Sequence, residues 1–200
     1  MSEHISDLKG RDRHENARRF HCLCEERQIH MTRSQMNDLL AVYAGSAPEN
    51  LYEYEYYLYM FFYGIYRDTP FYDIPDTAFM FMETDGWQGM SGRCGVWQYY
   101  ESGAFEKGKL ERAAAYLKAD GEEEWADIFA SGIHDYAAQE YQAEDNAVPY
   151  PDEWIDGSEK IDKWIYANEL YINEWKRRLI LAHKDELLKL AEDNKGESEL

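Results

Sequence analysis

Residues 122–143 contain the run Glu122-Glu123-Glu124-Trp125-Ala126-Asp127-Ile128-Phe129-Ala130-Ser131-Gly132-Ile133-His134-Asp135-Tyr136, and its periodicity decides the fold class. Trp125, Ile128, Phe129, Gly132, Ile133 and Tyr136 recur at spacings of three and four, which lays an apolar stripe along one face of a helix. Glu123, Asp127 and Ser131 face elsewhere, as do Glu124, Asp135 and Gln142. Three glutamates fall in the first turn, where the helix dipole favours each anion by roughly 0.3–1 kcal/mol. Repulsion between Glu123 and Asp127 one turn apart costs only about 0.2–0.5 kcal/mol. His134 lies off the stripe and reads as a surface histidine. The spacing predicts one helix over 122–143.

On the C-terminal side, Pro149 and Pro151 mark a loop. Ser158 then caps an expected long last helix over 159–192, carrying Ile161, Trp164, Ile165, Tyr171, Ile172, Trp175, Leu179 and Leu187. Residues 194–200 are expected to fray, as are 1–10. On the N-terminal side, Leu110, Ala113, Ala114 and Leu117 share a face of a helix over 105–119, stopped by Gly121. A short helix near 96–100 precedes it, and Gly86, Gly89, Gly92 and Gly95 read as a connection after a helix closed by Asp85-Gly86. That helix starts at Asp73-Ile74-Pro75-Asp76. The aromatic segment 51–66 reads as a buried helix broken by Asp68-Thr69-Pro70. Two capping boxes are expected, Thr32-Arg33-Ser34-Gln35 and Ser46-Ala47-Pro48-Glu49. The first opens a helix with Met36, Leu39, Leu40 and Tyr43 inward and Gly45 as its stop. Ala17, Phe20, Leu23 and Cys24 suggest a further amphipathic helix over 11–28. The expectation is all-α: a single compact helical domain over 1–200, of about seven or eight helices with a long C-terminal one.

Charge is the strongest compositional feature, with 40 acids against 21 bases giving −19. It is concentrated, because residues 41–160 hold 24 acids and 7 bases. Such a field repels nucleic acid and anionic membranes and attracts cationic proteins. No apolar run approaches the roughly 20 residues of a membrane span. The start lacks the basic and apolar regions of a signal peptide, and three cysteines (Cys22, Cys24, Cys94) have no framework spacing, so a reducing cytoplasm is the expected compartment. The 17 tyrosines suit a core that reaches the surface, or an interface.

Searching for chemistry returns little. His21-Cys22-Leu23-Cys24, with His14 and His30 nearby, has cysteines one residue apart and no second pair, which is wrong for a structural zinc site. Ser91, Ser102 and Ser131 lack a nucleophile elbow. The glycines of 86–103 lack the Lys-Ser or Lys-Thr of a phosphate loop and are flanked by Asp85 and Glu101. No cofactor or metal is expected, and a non-enzymatic role is preferred to a small enzyme with a carboxylate cleft.

The stretch Gly95-Val96-Trp97-Gln98-Tyr99-Tyr100-Glu101-Ser102-Gly103, with Leu110, Ala114, Leu117, Asp120-Gly121 and Trp125-Ala126-Asp127-Ile128, resembles a bacterial family of small acidic helical proteins. Their signature runs Asn-Gly-Gly-Phe-x-Gln-Tyr-Phe-x-Asn-Ser-x-Gly, followed by a helix, a turn and another helix. The resemblance covers about residues 75–135, and more weakly Asp156 to Ile165. It departs where Arg93-Cys94-Gly95 replaces Asn-Gly-Gly, where Val96 and Trp97 follow, and where Glu101 precedes Ser102. One branch of that family is a dimeric DNA mimic whose acidic surface engages a DNA-binding transcription factor. The resemblance therefore implies a similar helical fold, with Gly95, Gln98, Tyr99, Ser102 and Gly103 in structural roles.

The functional expectation is an acidic protein-interaction module, a DNA mimic for a basic DNA-binding regulator. Its partner-binding residues are Glu122, Glu123, Glu124, Asp127, Asp135, Glu140, Glu144, Asp145, Asp152 and Glu153, from a segment (101–160) in which acids outnumber bases 16 to 5. The alternatives are an immunity or antitoxin protein blocking a basic toxin nuclease, and the small enzyme. A homodimer is expected from the need to cover exposed aromatics. No direct nucleic-acid or membrane contact is expected.

Overall fold

The computed structural model describes residues 31–142 and 149–193. Among them are nine α-helices and two 3-10 turns, with no strand. The helices are α1 Arg33–Gly45, α2 Tyr52–Asp68, α3 Asp76–Arg93, α4 Trp97–Ala104, α5 Lys109–Ala119, α6 Glu123–Ala130, α7 Asp152–Ala167, α8 Glu169–Ala182 and α9 Lys184–Asp193. The chain is all-α. The helix expected over 11–28 lies outside the described residues.

By internal contacts the chain divides into two compact units, one formed by Met1–Phe81 with Asn173–Leu200 and the other by Met82–Ile172. In the first unit the Thr32 capping box forms as expected: the Thr32 amide donates to Gln35 Oε1 at 2.9 Å and the Gln35 amide to Thr32 Oγ1 at 3.3 Å. Helix α1 then buries Met36, Leu39, Leu40 and Tyr43, the four positions its periodicity marks. The second capping box does not form. Ser46 instead donates back to the Val42 carbonyl at 2.8 Å, and a 3-10 turn over Pro48–Asn50 leads into α2. That reversal follows from α1 ending with open carbonyls, which a hydroxyl just beyond the end can satisfy.

At the centre of this unit a charge is buried. Glu55 and Lys176 are only 5% and 2% exposed. The Lys176 ammonium donates to Glu55 Oε2 at 2.7 Å and the Tyr43 hydroxyl donates to Glu55 Oε1 at 3.0 Å, so each carboxylate oxygen has a donor. Lys176 also stands 5.7 Å from the centroid of the Phe81 ring. Burial and the Glu55 charge push the Tyr43 hydroxyl well above the usual phenol range.

The second unit is built around stacked indoles. Trp87 lies 6.0 Å from Trp125 at 26° and 6.1 Å from Trp164. Trp87 Nε1 donates to the Tyr100 hydroxyl at 2.9 Å, which donates onward to the Phe129 carbonyl at 2.8 Å. This unit has its own buried carboxylate. Glu83 accepts from the Tyr99 hydroxyl at 2.6 Å and pairs with Lys109 at 3.3 Å.

Several expected boundaries move, each for a tertiary reason. The helix read over 122–143 is only α6, which ends at Ala130. The Tyr100 hydroxyl occupies the Phe129 carbonyl, and Gly132 lies so close to the Tyr100 ring that a Cβ there would overlap it. The chain turns there, yet Tyr136 is still buried. Helix α3 does not close at Gly86 but runs on to Arg93, with the Gly86 face against the Tyr99 ring. It ends at Gly95, whose φ of +97° lets the Cys94 and Gly95 amides both reach the Met90 carbonyl at 3.0 and 3.1 Å. The long C-terminal helix is three helices, divided at Asn168 and His183. Asn168 donates its side-chain amide to the Trp164 carbonyl at 2.9 Å, a local bond that competes with the ladder. Ser158 is no cap: it lies inside α7, buried, donating to the Ile155 carbonyl at 2.8 Å, and α7 starts after Pro151.

Breaking a buried pair from one side leaves an uncompensated charge. Lys176→Met is therefore expected to lower unfolding free energy by about 3–5 kcal/mol in urea denaturation. Adding Glu55→Gln in the same chain should recover part of that loss, because the amide still accepts from Tyr43 without carrying a charge. A double variant no more stable than the single one would show that the pair is not what holds this core.

Candidate functional site

The acidic residues marked by the sequence lie in the second unit, in two groups. The first is the start of α6. Glu122 is the N-cap residue, and Glu123 and Glu124 fill the first turn. Two of the three are held by aromatic donors: Trp164 Nε1 donates to Glu124 Oε1 at 2.9 Å, and the Tyr171 hydroxyl donates to Glu122. These donors come from α7 and α8, 40 and 49 residues on, and nothing local in the sequence signals them. Glu123 and Asp127 stay exposed on the outer face of α6, one turn apart.

The second group surrounds an aromatic cluster. The His134 ring stacks on Trp154 at 4.6 Å and 9°, so this histidine is half-buried rather than the surface residue expected. Trp154 also meets Tyr136 edge-on at 5.1 Å and Tyr141 edge-on at 5.4 Å. Tyr141 and Tyr150 lie 5.1 Å apart, and the Tyr150 hydroxyl donates to Glu101 Oε1 at 2.6 Å. Asp135, Glu140, Asp152 and Glu153 are exposed on the segments that carry these rings. Desolvation pulls the His134 imidazole below its ordinary range, against the opposing charge of Glu153. Desolvation together with Glu140, Asp135 and Glu153 holds the Tyr141 hydroxyl up. Glu144 and Asp145 lie outside the described residues.

The carboxylates named by sequence share one electrostatic property. Among the described residues, Glu123, Glu124, Asp127, Asp135, Glu140, Asp152 and Glu153 are exposed and make no ion pair with Lys or Arg. Lys109 pairs with Glu83 and Glu106, Lys163 with Glu159, Lys176 with Glu55 and Arg177 with Glu174.

The signature-like residues hold the framework beneath this surface. Gly95 supplies the left-handed turn after α3, and the next amide, Val96, donates to Asp162 Oδ1 at 3.0 Å. Tyr99 is buried on Glu83. Gly103 lies one residue before the end of α4 at Ala104, its face pressed against Leu110, 2.7 Å from where a Cβ would stand. Gln98 is half-buried and Ser102 is exposed. Asp162 is the residue that sequence reasoning missed, because its partner is 66 positions away.

Among the described residues no group of three or more His, Cys, Asp or Glu side chains could hold a metal ion. His14, His21, Cys22, Cys24 and His30 lie outside the described residues. No described helix is long and apolar enough to cross a membrane. Comparison of the chain with protein-family models, curated proteins and solved structures finds no match.

The aromatic cluster has a measurable alkaline signature. Burial first, then nearby Tyr150 and Glu101, push Tyr136 up to about 12, and burial and Glu101 do the same for Tyr150. A phenol whose folded value exceeds its unfolded value of about 10 contributes stability that is complete below pH 10 and is lost as pH rises through the folded value. Stability should therefore fall between about pH 10 and 12. In a phenolate absorbance titration of the folded protein, Tyr150→Phe should remove one equivalent from the region near pH 12 and none from the region near pH 10.

Proposed function

We propose that this chain is an acidic protein-interaction module whose second unit presents carboxylates to a basic protein. The observation that carries the reading is the set of seven exposed carboxylates without Lys or Arg partners. In a soluble protein, surface acids are commonly interspersed with bases that screen them. Here the bases of the same segment are few, and the unpaired acids are left to project a negative field. A carboxylate accepts two parallel bonds from a guanidinium as a phosphate does, so arginines evolved to grip a DNA backbone would find comparable acceptors.

The resemblance of Gly95–Gly103 and its following helices to a DNA-mimic family supports a DNA-binding regulator as the partner. A basic toxin nuclease would meet the same field, so the immunity reading differs in partner alone. The enzyme reading asks for two buried acids facing a cleft. The buried carboxylates among the described residues, Glu55 and Glu83, are each bound by a tyrosine and a lysine.

Affinity capture on the immobilised chain from host lysate, eluted by rising salt, tests the proposal, since exposed charge contacts weaken as the Debye length shrinks. Elution of a basic DNA-binding regulator is the expected outcome; a nuclease in its place would favour the immunity reading. With the captured protein in hand, Glu123→Gln, Asp127→Asn and Asp135→Asn together should weaken binding roughly tenfold, at about 0.5 kcal/mol for each exposed contact. The urea midpoint should move little, because all three side chains are exposed and the helix-dipole stabilisation lost at Glu123 is offset in part by relief of its repulsion with Asp127. Unchanged affinity in this triple variant would remove these residues from the interface.

A further inference from the structure

We infer that the aromatic cluster beside the acidic surface is a receptor for an arginine side chain of the basic partner, formed by Tyr141, Tyr150 and Trp154 with Asp135, Glu140 and Glu153 at its rim. The inference rests on the interaction-module reading and adds to it the residue type that is recognised.

The rings make a composite π surface. Tyr141 stands 5.1 Å from Tyr150 and 5.4 Å from Trp154, and Tyr150 lies 6.1 Å from Trp154 at 24°. All three residues are half-buried. His134 stacks on Trp154 and Tyr136 meets it edge-on, while Tyr136 and Trp97 also pack on Tyr150, at 5.0 and 6.2 Å, which fixes the indole and that phenol and leaves Tyr141 as the ring with the fewest aromatic neighbours. Ala138, Gln139 and Glu140 line a shallow depression immediately before Tyr141. Glu101 holds the Tyr150 hydroxyl, which orients that ring.

Charge complementarity selects the occupant. Asp135 and Glu140 lie on the segment between Tyr136 and Tyr141 and Glu153 directly precedes Trp154; all three are exposed, and none makes an ion pair with Lys or Arg. A π surface with exposed carboxylates on the segments that carry it attracts a cation and offers little to an anion or a neutral chain. A guanidinium satisfies both parts of the site, because its plane stacks on a ring while its edge forks onto a carboxylate. An ammonium is a compact, strongly hydrated point charge that gains the Coulomb attraction but little of the stacking. Preference for arginine over lysine at equal charge is thus the property that separates this receptor from a merely acidic face.

The test uses two probes of the same charge, octa-arginine and octa-lysine, titrated calorimetrically into the full chain at low salt. The wild-type chain should bind octa-arginine more tightly by about three- to tenfold. Tyr141→Ser should bring the two affinities together, whereas Glu123→Gln with Asp127→Asn should weaken both peptides and leave their ratio unchanged. Equal wild-type affinities would overturn the arginine receptor while leaving the acidic-surface reading in place. Failure of both peptides to bind would remove both. A ratio that persists in Tyr141→Ser would also overturn the assignment. As a check independent of variant folding, N-acetyl-arginine amide added to the wild-type chain should shift the Trp154 indole N–H resonance and leave that of buried Trp175 in place; an unmoved Trp154 signal would count against the site.

Discussion

A carboxylate taken out of water must find both a counter-charge and enough donors, or the fold that buried it loses several kcal/mol. This chain meets that constraint twice. In one unit Glu55 is held by Tyr43 and Lys176, and in the other Glu83 is held by Tyr99 and Lys109. Each arrangement needs separate helices at a fixed separation: Lys176 comes 121 residues after Glu55, and Glu83 on α3 is met from α4 by Tyr99 and from α5 by Lys109. Misplacing any of those helices would strand a charge, so the pairs restrict which helix packings are tolerable. Neighbouring side chains follow the same logic, with Arg177 donating to the Ser46 carbonyl at 2.6 Å and Thr77 to Glu186 at 3.0 Å.

The high tyrosine content makes sense in this light. Tyrosine brings a large ring and one donor, so it can pack a core and satisfy a buried acceptor at once. Tyr43, Tyr99 and Tyr100 do both. Tyr100 has a further effect: by taking the Phe129 carbonyl and filling the space over Gly132, it ends α6 and frees residues 131–138 to carry His134 and Asp135 to the rim of the aromatic cluster. The end of one helix thereby helps to make the surface on which the functional reading depends.

Charge is divided between interior and exterior. Inside, acids are matched to tyrosines and lysines. Outside, on the second unit, Glu123, Glu124 and Asp127 on α6 and Asp135, Glu140, Asp152 and Glu153 around Trp154 make no ion pair with Lys or Arg. Glu122 and Glu124 are intermediate in character, each positioned by an aromatic donor, Tyr171 and Trp164. Aromatic donors that orient carboxylates without neutralising them preserve the negative field while reducing side-chain freedom, which lowers the entropic cost of engaging a partner.

Local features were legible from the residues alone. The all-helical class, the Thr32 cap, the four inward positions of α1, the end of α2 at Asp68 and the turn at Gly121 each depend on side chains within one or two helical turns. So did the identity of the acidic segment, because net charge needs no coordinates. Tertiary structure decided what periodicity cannot encode: that 122–143 stops at Ala130, that α3 passes through Gly86, that 159–192 divides at Asn168 and His183, and that Asp162 caps the turn at Val96. The physical reason is range. Helical periodicity and caps are contacts among near neighbours, whereas a carbonyl claimed by a hydroxyl 29 residues away, or an aspartate 66 residues from its amide, exists only once the helices have packed.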